Sequence, residues 1–303
     1  MNWVVNRFQW KSISAAFLWP NRDYDKNPDL ILNFKSELNY AVTKMRPPLL
    51  LMKLGGSVIT HKNRPLSPNF KAIKDLSHTL ASIQMPVILV HGGGSFGHYW
   101  SVKYKMHSKP DCYNLHGISI VHQSMIALNE IIVNSLIKEG ANPYAIAPSM
   151  FTNGFRPIIS KIEELRTIAK GGILPITFGD VVHVNRQNYS ILSGDRLMTI
   201  LAKVLVPSRT IFTVNVDGLY KDMKNAEIIR EINNATYKSI EFSKILTDVT
   251  GGMRRKIMEA FKIAASGMDV LLVNGLKPQR ILDAIDGIDF DCTVIRGIKT
   301  RSR

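Results

Sequence analysis

Cysteine is almost missing from this chain. Cys112 and Cys292 are the only two among 303 residues, so there is neither a disulfide framework nor a cysteine metal site. They read as reduced thiols, which points to a cytoplasmic location. Long apolar runs are missing as well. None approaches the roughly 18 residues of a membrane-spanning helix, so no transmembrane segment is expected. Acidic side chains are scarce: 24 stand against 39 lysines and arginines, for a net charge of +15. Such a balance favours phosphorylated or polyanionic ligands. No basic tract is interleaved with aromatics, so no specific nucleic-acid partner is expected. No repeat, Walker A motif, protein-kinase catalytic loop or metalloprotease motif is present, and no residue is assigned as a metal ligand.

The first 22 residues contain no acid, but they carry Arg7, Lys11, Arg22 and three tryptophans, Trp3, Trp10 and Trp19. That suits an amphipathic targeting or surface-binding segment. A disordered tail, or a true start at Met45, are the alternatives. Residues 1–46 are therefore read as an N-terminal extension and residues 47–303 as one domain.

From there strand and helix patterns alternate, which argues for a mainly parallel sheet covered on both faces. Strands are expected at 49–54, 86–90, 144–147, 173–178, 209–216, 270–274 and 293–297. Helices are expected at 68–83, 115–136, 162–169, 197–204, 254–265 and 279–285. A hairpin is expected across 181–192.

One stretch stands out, His91-Gly92-Gly93-Gly94-Ser95-Phe96-Gly97-His98. Adjacent glycines after a buried strand expose backbone N–H groups and let an anion approach the main chain. The same glycines satisfy G-x-G-x-x-G, so phosphate binding, dinucleotide binding and a plain tight turn all remain open from the loop alone. Against a dinucleotide, no strand ending in an acid follows about 20 residues later. A second anion-binding pattern is Lys53-Leu54-Gly55-Gly56-Ser57 at the end of the first strand. A third is Gly251-Gly252 at a helix start, with Lys256 on the first turn. Ser193-Gly194-Asp195 opens another helix, where Asp195 can cap the helix or hold cationic side chains.

Each piece is weak alone, but the order is specific: Lys-x-Gly-Gly-Ser, then Lys62, then His-Gly-Gly-Gly-Ser-Phe-Gly-His, Ser-Gly-Asp, Val-Asp-Gly-Leu-Tyr and Thr-Gly-Gly-Met-x-x-Lys. In this order the chain resembles the amino acid kinase family, and within it the isopentenyl phosphate kinases, from about residue 49 to about 297. The closing His98 carries that narrower likeness. The resemblance implies an α/β fold, a three-layer αβα sandwich with an open, mainly parallel sheet and both substrates along its C-terminal edge. It implies ATP with Mg²⁺ as phosphoryl donor, isopentenyl phosphate or a similar small alkyl phosphate as acceptor, and a homodimer.

By the same resemblance, Lys53, Gly55, Gly56, Ser57 and Gly94 hold the ATP phosphates. Thr213, Asp217, Tyr220, Gly252 and Lys256 contact the nucleotide, and Gly93, His98 and Gly194 contact the acceptor. Lys62 stabilises the transition state and Asp195 organises the lysines. Three positions depart from the family pattern, His61, Arg196 and Asn215, each making the site less acidic, which bears on nucleotide and acceptor preference. Alternatives are a kinase for another alkyl phosphate or phosphonate, as in the related fosfomycin kinases, and a nucleotide-binding regulator without turnover.

Overall fold

A computed structural model describes residues 48–61, 63–106, 114–185, 188–222, 227–233 and 251–298. The expectations for residues 1–46, Lys62, Cys112 and the 247–250 stretch lie outside the described residues. In chain order, β1 (Leu50–Leu54) leads to a one-turn helix α1 (Gly56–Ile59) and then α2 (Phe70–Ser82). Next come β2 (Val87–His91), α3 (Gly94–Lys103) and α4 (Leu115–Lys138). β3 (Pro143–Ala145), the small strands β4 (Thr152–Asn153) and β5 (Arg156–Pro157), α5 (Ile159–Lys170) and β6 (Leu174–Phe178) follow. Then come the hairpin β7 (Asp180–Asn185) and β8 (Asn188–Leu192), α6 (Gly194–Leu205) and β9 (Arg209–Val214). Short strands β10 (Tyr220–Asp222), β11 (Glu227–Ile228) and β12 (Glu231–Ile232) precede α7 (Gly251–Ala264), β13 (Val270–Asn274), α8 (Gln279–Asp286) and β14 (Thr293–Ile295).

The main sheet has the order β12-β14-β13-β9-β1-β2-β6-β3. Its central pairs are parallel, and the β13–β14 pair is the antiparallel exception. Strand alternation explains the three layers. Leu51, Ile88, Val90 and Phe212 face a core completed by Ile162 and Leu165 of α5, Leu197 and Leu201 of α6, and Ile257 and Ala260 of α7. Leu50, Met52, Leu54, Leu89 and Ile211 face the opposite core, completed by Leu76 of α2, Leu128 and Ile132 of α4 and Ile281 of α8. Each such aliphatic side chain contributes about 1.5–3 kcal/mol when fully buried. The near-continuous apolar runs of β1 and β2 follow from burial on both faces.

Helix α4 is long and apolar enough by composition to cross a membrane. In this fold Val121, Met125, Leu128, Ile132 and Leu136, a stripe near the 3.6-residue helical period, are buried within the domain. Its start is set by Asn114, whose side chain accepts a hydrogen bond from Gly117 N.

The expected strands and helices are found with boundaries shifted by a few residues. The stretch expected as a strand at 144–147 pairs with β6 only to Ala145, because Pro148 then opens a turn of 3-10 helix. The clearest departure is at the glycine stretch. It reads as a loop, yet α3 begins inside it at Gly94, with Phe96 N and Gly97 N both donating to Gly93 O.

Candidate active site

The register aligns the strand ends. Leu54 pairs with His91, His91 with Phe178, and Val214 with Asn274. Five parallel strands therefore stop at one edge, and each is followed within two residues by a glycine or a polar turn. The turns after β1 and β2 approach closely: a Cβ on Gly56 would lie 2.4 Å from Gly94 N. Only glycine fits there. The N–H groups of Gly56, Ser57, Gly93 and Gly94 make no hydrogen bond among the described residues, so two turns offer their donors side by side. Such a nest of donors at helix starts suits phosphate oxygens.

The charge beside this cradle comes from three elements, one strand and two helices. Lys53, on β1, is only 3% exposed, and Lys256, on α7, 7%. Both ammonium groups converge on one oxygen, Oδ1 of Asp195 in the first turn of α6: Lys53 Nζ bonds it directly and Lys256 Nζ lies 3.3 Å away. Both also lie over the Phe212 ring, at 6.0 and 5.6 Å from its centroid. Gly194 brings α6 in close, since a Cβ there would sit 2.9 Å from His91 O and 3.1 Å from Lys53 Cε.

Two lysines share one carboxylate, and that leaves a net positive charge in a buried place. Burial pushes the Lys53 ammonium down to about 7, helped by Lys256 and opposed by Asp195. Burial alone would raise Asp195, but Lys256 and Lys53 outweigh it and hold the carboxyl at about 2. A polyanion supplies the missing charge. Because Lys53 resists its proton above about pH 7 in the free protein, binding of ATP at pH 8 should take up about one proton. Calorimetric titration in buffers of different ionisation enthalpy measures this; heats independent of the buffer would show Lys53 already charged before ATP arrives.

His91 lies beneath the glycine turn, fully buried, with Nδ1 3.2 Å from Gly92 O, Nε2 3.3 Å from the Asn129 amide, and its ring stacked on Phe178 at 5.3 Å. Burial lowers its pKa to about 4, so the imidazole is neutral. Nδ1–H then donates to Gly92 O. Sequence reasoning marked His91 only as the opening of the motif.

His98 lies on the second turn of α3 and is exposed. Gly93 and Gly97, around it, pack against Met125: a Cβ on either would meet Sδ at 3.0 or 2.9 Å. Trp100 of α3 and Tyr104 at its C-terminal cap join an apolar cluster with Val121 and Ile118 of α4 and with Val181, Tyr189 and Ile191 of the hairpin. Beside that cluster, His122 Nδ1 stands 2.7 Å from Asp180 Oδ2. Burial raises Asp180, with His122 opposing.

Of the residues implied for the nucleotide, two turn inward. Thr213 is fully buried and its hydroxyl accepts from Gly55 N at 2.9 Å. It fastens the first glycine turn from below, and Gly55 N–H is spent on it. Asp217 is bound by Asn274 Nδ2 at 2.7 Å, Arg280 Nη1 at 2.6 Å and Lys277 Nζ at 3.0 Å. Burial opposes its ionisation, but those three partners hold the carboxyl below its ordinary range. Asp217 thus ties the β9–β10 turn to the start of α8. Sequence reasoning missed Asn274, Lys277 and Arg280; Asn274-Gly275 after a strand was the available signal. Tyr220 begins β10, and Gly252 sits open on the first turn of α7, with nothing within 4 Å of a Cβ. Of the three departures from the family pattern, Arg196 stacks on Phe155 at 3.7 Å, and His61 and Asn215 are exposed.

The profile of the amino acid kinase family matches residues 48–274. The isopentenyl phosphate kinase of Thermoplasma acidophilum is 34% identical over 257 residues, covering 82% of this chain and 100% of that protein. The isopentenyl phosphate kinase of Arabidopsis thaliana is 28% identical over 305 residues, covering 78% of this chain and 90% of its own. Among solved structures, the T. acidophilum isopentenyl phosphate kinase product complex superposes with a TM-score of 0.68 at 30% identity, over 82% of this chain and 100% of that one.

Proposed function

The chain belongs to the amino acid kinase family, and on that premise we propose that it transfers the γ-phosphoryl group of ATP to isopentenyl phosphate, giving isopentenyl diphosphate and ADP. The observation that carries this reading is the juxtaposition of two donor-lined glycine turns with two buried lysines that share one carboxylate.

An oxygen of the acceptor phosphate attacks the γ-phosphorus of ATP, and the bond from that phosphorus to the bridging oxygen of ADP breaks. The acceptor is a phosphate monoester with a second pKa of about 6, so it arrives ionised and needs no general base. The obstacle is repulsion between two polyanions. Positioning and charge neutralisation answer it, as in phosphoryl transfer generally. Gly56, Ser57 and Gly94 offer N–H groups to the ATP phosphates, with Lys53 and Lys256 as the cations. Lys62 is assigned the transferring group, and Gly93, His98 and Gly194 the acceptor phosphate. Tyr220 and Gly252 flank the nucleotide, while Thr213 and Asp217 shape its site from below.

Among the described residues no group of three or more acidic, histidine or cysteine side chains is placed to cage a metal. Asp195 is already shared by two ammonium groups. This fits Mg²⁺ held mainly by ATP phosphates and water, where it would neutralise charge on the transferring group. The apolar cluster around Trp100, Tyr104 and Val121 offers a wall for a short prenyl tail, and Met125 links that wall to the glycine turn. Leu128 belongs instead to the core against the sheet. Assembly as a homodimer is part of this proposal; the edge strand β3, with Tyr144 exposed, supports it.

The test is ADP release with ATP, Mg²⁺ and a panel of acceptors: isopentenyl phosphate, longer and shorter alkyl phosphates, and a fosfomycin-like phosphonate. Isopentenyl phosphate should give the highest kcat/KM. A higher value with the phosphonate would move the protein to the fosfomycin-kinase reading, and no acceptor-dependent turnover would favour a regulator. In the same assay His98→Ala should lose about 10–100-fold in kcat/KM for the acceptor while ATP affinity persists, the magnitude of one hydrogen bond to a charged group. His98→Gln should recover part of that loss, since an amide still donates. Unchanged acceptor kinetics in His98→Ala would remove it from the site.

A further inference from the structure

We infer that Thr60 is a positioning residue for this phosphoryl transfer, because its one hydroxyl joins the two phosphate-facing turns and the base of the loop that contains Lys62. The inference rests on the kinase reading above. Thr60 is 2% exposed, at the C-terminal end of α1. Its Oγ1 donates to Gly56 O at 2.7 Å and accepts from Ser95 N at 2.9 Å. Gly56 belongs to the turn after β1, and Ser95 to the first turn of α3. The same oxygen fills the space beside Gly94, where a Cβ would come within 2.0 Å of it.

Further bonds close the loop at its base. Thr60 bridges Pro68, His61 N donates to Ser67 O at 2.9 Å, and Ser67 N donates to Ser95 Oγ at 3.1 Å. Ser95 Oγ in turn lies 3.3 Å from Ser67 O. The segments on either side of residue 62 are thereby fastened to the start of α3, the helix that carries His98.

The chemistry explains why a hydroxyl is needed. A side chain that both donates and accepts across so short a span can only be a small alcohol. A methyl group in that place could satisfy neither Gly56 O nor Ser95 N–H. It would also push the two turns apart by a few tenths of an ångström, since carbon–oxygen and carbon–nitrogen contacts are longer than hydrogen bonds. The cations that attract ATP would stay where they are, but the two phosphates would lose alignment. Thr60 should therefore act on kcat more than on ATP binding.

The experiment compares Thr60→Val, which keeps the shape and removes the hydroxyl, with Thr60→Ser, which keeps the hydroxyl. Thr60→Val should lower kcat by about 5–10-fold, since a shift of a few tenths of an ångström is a fraction of the roughly 1 Å misplacement that costs about 10²-fold, with the KM for ATP within about threefold of wild type. Thr60→Ser should restore kcat to within about threefold. Amide exchange of Ser95 should speed up in Thr60→Val and return in Thr60→Ser, whether or not the acceptor has been identified correctly. Thr60→Val with wild-type kcat, or with unchanged Ser95 exchange, overturns the inference. So does a loss that Thr60→Ser fails to rescue while its melting temperature equals that of the wild type. An inactive wild-type enzyme with isopentenyl phosphate would instead overturn the acceptor assignment, and the exchange measurement would still decide whether Thr60 holds the turns together.

Discussion

Replacing Asp195 by asparagine should lower kcat by about 10²–10³-fold while leaving the KM for ATP unchanged or lower. The carboxylate is the common partner of two buried ammonium groups, and asparagine keeps its shape without its charge. Without the carboxylate Lys53 holds its proton less readily, but Lys256 remains and a bound polyanion takes over the charge that Asp195 supplied, so ground-state binding of ATP survives. What is lost is the fixed geometry of Lys53 and Lys256 as charge moves to the bridging oxygen. Breaking a buried ion pair by removing one partner costs about 3–5 kcal/mol, so the variant should also melt earlier, and ATP should recover part of that loss.

The pH dependence has a definite sign. Asp195 is held at about 2, below its ordinary 3.8, so its contribution to stability is present above about pH 4 and disappears as pH falls through 2. Lys53 acts the opposite way. Its folded value of about 7 lies below its ordinary 10.5, so the folded state binds its proton less readily, and stability rises with pH across that interval. In Asp195→Asn the acid limb due to Asp195 should be absent. A variant that folds and keeps kcat within about threefold of wild type would remove Asp195 from the catalytic arrangement.

How much of this was legible beforehand depends on whether a residue's partner lies nearby in the sequence. Strands such as Val270–Asn274, and the paired strands β7 and β8, are written in local periodicity and composition and were readable. Lys53, Gly194 and Asp195 were readable as a set because strand ends deliver them and their order is specific. That Asp195 organises the lysines came only from the family likeness; the convergence of Lys53 and Lys256 on one of its oxygens is not written in any local pattern. It requires strand order β13-β9-β1 and the packing of α7 on α6. Thr213 shows the reverse case. It falls in a segment that the family likeness ties to the nucleotide, yet strand alternation turns its side chain inward, onto Gly55 N. The Asp217 clamp needed Asn274 and Arg280, 57 and 63 residues further along the chain. Thr60 had no signal of its own, since a single threonine in a polar loop resembles any other.

Gly94→Ala should abolish most activity, by at least about 10²-fold, for reasons that combine backbone and packing. Gly94 has φ +47, a left-handed conformation that costs a side-chain-bearing residue roughly 1 kcal/mol or more. The added methyl would also fall 2.0 Å from Thr60 Oγ1 and 2.7 Å from Gly56 O. Neither neighbour yields easily: Thr60 is bonded on two sides, and Gly56 O is main chain. Relief must come from separating the two turns, which moves the donors that face phosphate. Gly140→Ala provides the control. Gly140 has φ +89 but nothing within 4 Å of a Cβ, so it carries the backbone cost without the collision. Its variant should lose about 1 kcal/mol of stability and keep wild-type turnover. Melting temperature and steady-state kinetics on both variants separate the two effects. If Gly94→Ala matched Gly140→Ala in both measurements, the close contact between the two glycine turns would be dispensable for catalysis.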